Sequence, residues 1–164
     1  PQAKDLKADK VVRVLNELFK NFDDLTLKHG LEKIKTIGDS YFAAGGLTGN
    51  VQVAAKNTIN LSKDMVKATN SLNDDTNFMD LQIRIGIHTG NVIAGIIGKN
   101  KFAYDLWGAT VNFASRLEST CEPGKIQISE DTKSIIGDRL DLELRKDVEV
   151  KGIGTINTYY LNYT

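Results

Sequence analysis

The chain has 164 residues, enough for one domain that buries about two-thirds of its unfolded surface and needs no covalent staples. Its 21 basic residues balance 21 acidic ones, so no global field draws it to nucleic acid or an anionic membrane, and a polyanionic ligand must be held by locally placed Lys and Arg. The single cysteine, Cys121, excludes an intrachain disulfide, and no apolar run suits a signal peptide or a spanning helix; both point to a cytosolic setting, within a larger membrane-anchored or multidomain protein if further segments are attached.

Val11, Val14, Leu15, Leu18, Phe22 and Leu25 recur at helical spacing, which predicts a helix from about Asp9 to Lys28 packed on a sheet. Gly30 is a natural left-handed cap behind it, and His29 reads as a cation at the helix C-terminus. Two short strands, Glu32 to Ile37 and Tyr41 to Ala44, flank Gly38-Asp39, which suits a tight hairpin turn with Asp39 at its tip. Taken alone, such an aspartate is ordinary turn chemistry, and Lys35 an edge-strand charge. Gly45, Gly46 and Gly49 connect to a second helix from about Val51 to Asn70, and the polar stretch Ser71 to Asp80 reads as a surface loop.

Leu81, Ile83, Ile85 and Ile87 alternate with Gln82, Arg84, Gly86 and His88, a clear period of two. With Thr89-Gly90 as its turn, this strand is expected to form a central hairpin with Asn91 to Ile97, whose Val92, Ile93, Ile96 and Ile97 suit a strand covered on both faces. The glycines there match neither the Walker nor the dinucleotide spacing, and His88 at a strand end reads as structural.

The stretch from Phe102 to Arg116 places polar groups at spacings that core packing does not explain. Tyr104, Leu106 and Trp107 lead to Gly108, and a helix follows in which Asn112 and Arg116 fall four apart. On a helix those side chains stack on one face, about 6 Å apart at Cβ, so a neutral amide and a fixed guanidinium point the same way, as an anionic ligand requires. The commoner situation for such a pair is a solvated face. Glu122-Pro123-Gly124 is then a turn, Lys125 to Ser129 a strand, Glu130 to Ile136 a short helix, and Leu140 to Val150 with Thr155 to Tyr163 a closing pair of strands with Lys151-Gly152 at their junction.

Tyr104-Asp105-Leu106-Trp107-Gly108 and Thr110-Val111-Asn112-Phe113-Ala114-Ser115-Arg116 resemble the signature of the class III nucleotidyl cyclases, the adenylyl and guanylyl cyclases. Glu32 to Tyr41 is similar to a second signature of that family, and Val150 to Gly154 to its last. The resemblance runs from about Val11 to Tyr160 and implies an α+β fold: a ferredoxin-like βαββαβ mixed sheet with flanking helices, residues 1–164 forming one catalytic domain. It implies catalytic roles for Asn112 and Arg116 on the ribose and the reacting phosphate. It further implies base reading by Lys35 and Asp105, a hold on the terminal phosphates by Lys151, and metal binding by Asp39.

The implied reaction converts ATP to 3′,5′-cyclic AMP and pyrophosphate with two Mg²⁺ or Mn²⁺ ions. It takes place between two catalytic domains, so a homodimer would hold two equivalent sites. Guanylyl cyclases typically carry Glu and Cys where this sequence has Lys35 and Asp105, which makes that activity the less favoured alternative. Family members also begin with a strand bearing a Phe-x-Asp signature whose aspartate is the other metal ligand, and this sequence starts after it; Asp5 and Asp9 lie in a Lys-rich helical lead and do not replace it. A chain beginning at Pro1 is therefore expected to be nearly inactive with Mg-ATP, and an inactive regulatory or dimerisation domain stands as the alternative of a different class.

Overall fold

A computed structural model describes residues 2–76 and 80–163. In chain order the elements are α1 (Gln2–Lys28), β1 (Glu32–Ile37), β2 (Ser40–Ala44), α2 (Val51–Thr76), β3 (Ile85–Ile87), β4 (Ile93–Ile97), β5 (Ala103–Trp107), α3 (Ala109–Thr120), β6 (Ile126–Ser129), α4 (Glu130–Ile136), β7 (Leu142–Val150) and β8 (Gly154–Leu161). A four-stranded sheet runs β3-β6-β8-β7, with β3 parallel to β6 and the other pairs antiparallel, and two hairpins, β1-β2 and β4-β5, stand beside it. This is the mixed α+β architecture that the sequence implies.

Helical periodicity builds the first core. Val14, Leu18 and Phe22 of α1 meet Leu61, Met65 and Leu72 of α2, with Leu31 beneath them and Tyr41 against the cluster. Each such side chain, fully buried, stabilises the fold by about 1.5–3 kcal/mol. A second core joins Ile59 and Val66 of α2 to Ile87, Ile126, Ile128 and Leu161 of the sheet. At the far end of α1, Lys28 and His29 both bond Asp64 of α2, at 3.1 and 2.9 Å, and the His29 contact first of all holds the Asp64 carboxyl below its ordinary pKa. The β1-β2 turn has Gly38 at φ 59° and Asp39 at negative φ, the type II′ pattern whose twist matches a hairpin.

The expected central hairpin does not form. Regular pairing in its first half is confined to Ile85–Ile87, which pairs with β6, while β4 pairs with β5. The connection between β3 and β4 is instead drawn onto α3, where the Thr110 hydroxyl donates to the Asn91 carbonyl at 2.6 Å. Nor is β4 covered on both faces: Ile93, Ile96 and Ile97 are 69%, 68% and 58% exposed. The expected loop from Ser71 is also shorter, since α2 continues to Thr76. Buried Leu72 holds that extra turn to the core, and the Asn73 carboxamide bonds both the amide and the carbonyl of Leu81; residues 77–79 of the expected loop lie outside the described residues.

A buried amide ties α3 to the sheet. Gln127 of β6 is fully buried; its Nε2 donates to the Leu117 carbonyl at 2.7 Å and to Thr120 Oγ1 at 2.9 Å, while its Oε1 accepts from Thr158 and Arg145. Every hydrogen-bonding atom of that amide is engaged, which is what makes its burial tolerable.

Candidate active site

Lys35 and Asp105 are brought together by the contact of β1 with β5. The Lys35 ammonium donates to Asp105 Oδ2 at 2.6 Å, and Asp105 Oδ1 accepts the Leu106 amide at 2.8 Å. The Lys35 contact first, and that amide second, hold the Asp105 carboxyl below its ordinary pKa of 3.8. The cross-strand partner of Asp105 is Gly95, which has no side chain to cover the carboxylate. The Asp105 side chain is 16% exposed and Lys35 is 42%, so the pair lies at the surface, wetter on the lysine side.

Asn112 and Arg116 lie on one exposed face of α3, as their spacing requires. Neither side chain makes a hydrogen bond or an ion pair among the described residues, so an amide and a guanidinium stand open to a ligand. The helix beneath them is held hard against β3. A Cβ on Gly86 would come within 2.3 Å of the Glu118 amide and 2.6 Å of the Ala114 carbonyl, so only glycine permits this approach of strand to helix. Two residues on, the His88 imidazole stacks on Phe113, the neighbour of Asn112, at 4.1 Å between ring centroids and 14° between planes. Sequence reasoning missed this contact: alternation put Gly86 and His88 on one side of a strand, but no pattern in the sequence says which helix that side meets.

Asp39 is exposed in the β1-β2 turn, and Lys151 is exposed in the turn between β7 and β8, where the Ile153 amide bonds the Val150 carbonyl at 3.0 Å. Neither side chain makes a hydrogen bond or ion pair with the other candidate residues among the described residues. The structure thus joins Lys35 to Asp105 and sets Asn112 beside Arg116, while Asp39 and Lys151 lie exposed at hairpin tips. Among the described residues no group of three His, Cys, Asp or Glu side chains could hold a metal. Asp39 nevertheless fits a phosphate-chelated Mg²⁺, an ion usually bound by one or two carboxylates together with substrate oxygens rather than by an all-protein cage.

Residues 2–163 match the model of the adenylate and guanylate cyclase catalytic domain. An adenylate cyclase of Mycobacterium tuberculosis is 38% identical over 151 residues, spanning 92% of this chain and 34% of that protein. The rat guanylate cyclase soluble subunit beta-2 is 36% identical over 153 residues, spanning 93% of this chain and 22% of that protein. The chain therefore spans only about a third and about a fifth of these relatives' lengths. The crystal structure of the adenylyl cyclase CyaB from P. aeruginosa superposes with a TM-score of 0.87 at 27% identity, covering 95% of this chain and 84% of that one.

Proposed function

The chain belongs to the family of class III adenylate and guanylate cyclase catalytic domains, and from that premise we propose that it acts on ATP, forming 3′,5′-cyclic AMP and pyrophosphate. Relatives of both activities match it equally well, so the choice of base rests on one observation: the Lys35–Asp105 pair at 2.6 Å. Lys35 offers only donors and ionised Asp105 only acceptors, a set that matches the ring-nitrogen acceptor and exocyclic amino donor of adenine. Guanine would turn its carbonyl oxygen to the carboxylate and its ring N–H to the ammonium.

In this reading the ribose 3′-oxygen attacks the α-phosphorus in line, the new O3′–P bond replaces the bond to the bridging oxygen, pyrophosphate leaves, and the hydroxyl proton passes to solvent. Asn112 orients the ribose, Arg116 stabilises charge that develops on the reacting phosphoryl group, and Lys151 holds the terminal phosphates. Two Mg²⁺ or Mn²⁺ ions, with Asp39 as a protein ligand, would supply neutralisation of phosphate charge. In this reading the site is completed across a homodimer, Asp39 of one copy facing Lys35, Asp105, Asn112, Arg116 and Lys151 of the other. The exposed isoleucines of the β4-β5 hairpin suit such a partner. No helix among the described residues is long and apolar enough to cross a membrane. Burial pushes the Cys121 thiol up to about 11, as suits a structural rather than a reactive cysteine.

Measuring kcat/KM for ATP and GTP decides the base. The complete protein, as its gene encodes it, should favour ATP by up to about 10⁴-fold, because a hydrogen-bonding site leaves the wrong base's polar groups opposed. Combining Lys35→Glu with Asp105→Cys should shift it towards GTP. Equal use of both nucleotides by the unmutated protein would show that these residues do not read the base.

A further inference from the structure

His88 is built more tightly than a strand-end residue needs to be. Its side chain is 9% exposed, one face lies on Phe113, and Nδ1 is 2.8 Å from Ser129 Oγ. Ser129 is itself fixed, since it caps α4 by accepting the Thr132 amide at 3.2 Å. The following residues press on the first turn of α3 as well: Asn91 accepts the Thr110 hydroxyl, and a Cβ on Gly90 would lie 2.6 Å from Thr110 Oγ1. The segment from Gly86 to Asn91 therefore touches α3 along its length, at Thr110, Phe113, Ala114 and Glu118.

These contacts differ in kind. Gly86 sets how close α3 comes, but a bare glycine backbone gives little grip against rotation of the helix about its own axis. A flat imidazole stacked on a flat phenyl ring resists that rotation, and its far edge is pinned to the cap of a second helix. We propose that His88 is a positioning residue for Asn112 and Arg116, an anchored ring that sets the rotation of α3. The inference rests on the cyclase reading given above. Phe113 precedes Arg116 by one helical turn and adjoins Asn112, so whatever fixes Phe113 fixes both. A rotation of about 10° would carry a side chain's tip, about 6 Å from the axis, through about 1 Å. Misplacement of about 1 Å in a reacting site costs up to about 10²-fold in rate.

The test uses the protein as its gene encodes it, with Arg116→Ala assayed alongside. His88→Ala should lower kcat for ATP about tenfold or more while KM stays within about twofold and cooperative thermal unfolding persists. His88→Phe restores a flat ring against Phe113 without the Ser129 bond and should recover most of kcat. Should His88→Ala fail to fold, Phe113→Leu keeps apolar burial while removing the stack, and it should show the same loss of kcat at unchanged KM. Normal kcat in His88→Ala or Phe113→Leu, with Arg116→Ala impaired, overturns the positioning role and leaves the cyclase reading standing. Normal kcat in Arg116→Ala overturns that reading itself. A His88→Phe protein as slow as His88→Ala would show that the stack is not the operative contact.

Discussion

Lys35 and Asp105 pair at 2.6 Å across 70 residues of sequence, and the lysine's ammonium is the first cause of the low pKa of the carboxyl. An adenine ring that binds both must share or replace that contact, so the two residues act as one unit. Lys35→Ala and Asp105→Ala should each lower kcat/KM for ATP, and the double variant should lose less than the product of the two losses, as residues in direct contact do. Losses that multiply, measured by initial rates across the four proteins, would mean that the two side chains serve separate purposes.

Arg116 makes no ion pair among the described residues, so removing its guanidinium orphans no partner and leaves the fold intact. Arg116→Ala should lower kcat about 10²-fold or more with little change in ATP binding, the pattern of a group that acts on charge in the transition state. Asn112→Ala should behave in the same way. A change confined to KM in either variant would reassign that residue to ground-state binding.

Gly86 is where β3 and α3 meet backbone to backbone. Gly86→Ala would drive a methyl into the Glu118 amide at 2.3 Å, and α3 must move or the strand must bend. Overpacking of this kind costs about 1–3 kcal/mol, so the urea midpoint should fall and kcat with it. An unchanged midpoint would mean that α3 shifts freely, and would weaken the case that its placement matters.

Local elements were legible in the sequence where their end signals were local. Helix α4 runs from Glu130 to Ile136 as expected because Ser129 caps one end and Gly137, at φ 74°, closes the other. The turn at Gly38-Asp39 was equally plain. Strand partners were not, since alternation from Leu81 to His88 shows which residues share a face but not which strand lies alongside, and the parallel partner at Ile126–Ile128 comes nearly 40 residues later. The site divides the same way. Asn112 and Arg116 follow from helical spacing, whereas the Lys35–Asp105 pair and the His88–Phe113 stack exist only once β1 meets β5 and α3 is docked.

Burial pushes the His88 imidazole below its ordinary pKa of 6.5, against a weaker upward pull from Asp131, whose Oδ2 lies 3.8 Å from Nδ1. The unfolded chain therefore binds more protons than the native one between the folded pKa and 6.5, and stability rises with pH across that window. The contribution is fully present above 6.5 and is lost as pH falls towards the folded value. Urea unfolding at a series of pH values should show this slope, and His88→Phe should flatten it. A slope identical in both proteins would assign it to the carboxylates instead.

The β4-β5 hairpin exposes Ile93, Ile96 and Ile97, with Phe102 75% exposed just before β5. Ile93 and Ile97 alternate with Ile96, so both faces of the hairpin carry apolar surface. In the proposed homodimer a second copy of the chain covers that surface, and Asp39 of one copy serves the same site as Arg116 of the other. Ile96→Lys should then lower both the dimer fraction, read by analytical ultracentrifugation, and the activity. A sharper test mixes two inactive proteins, Asp39→Asn and Arg116→Ala. Their heterodimer has one site with both residues intact and one with neither. An equal mixture should recover about a quarter of normal activity, half of its dimers being mixed and each mixed dimer having one working site of two. If no activity returns although mixed dimers form, Asp39 and Arg116 must serve the same site from a single chain, and the shared-site reading fails.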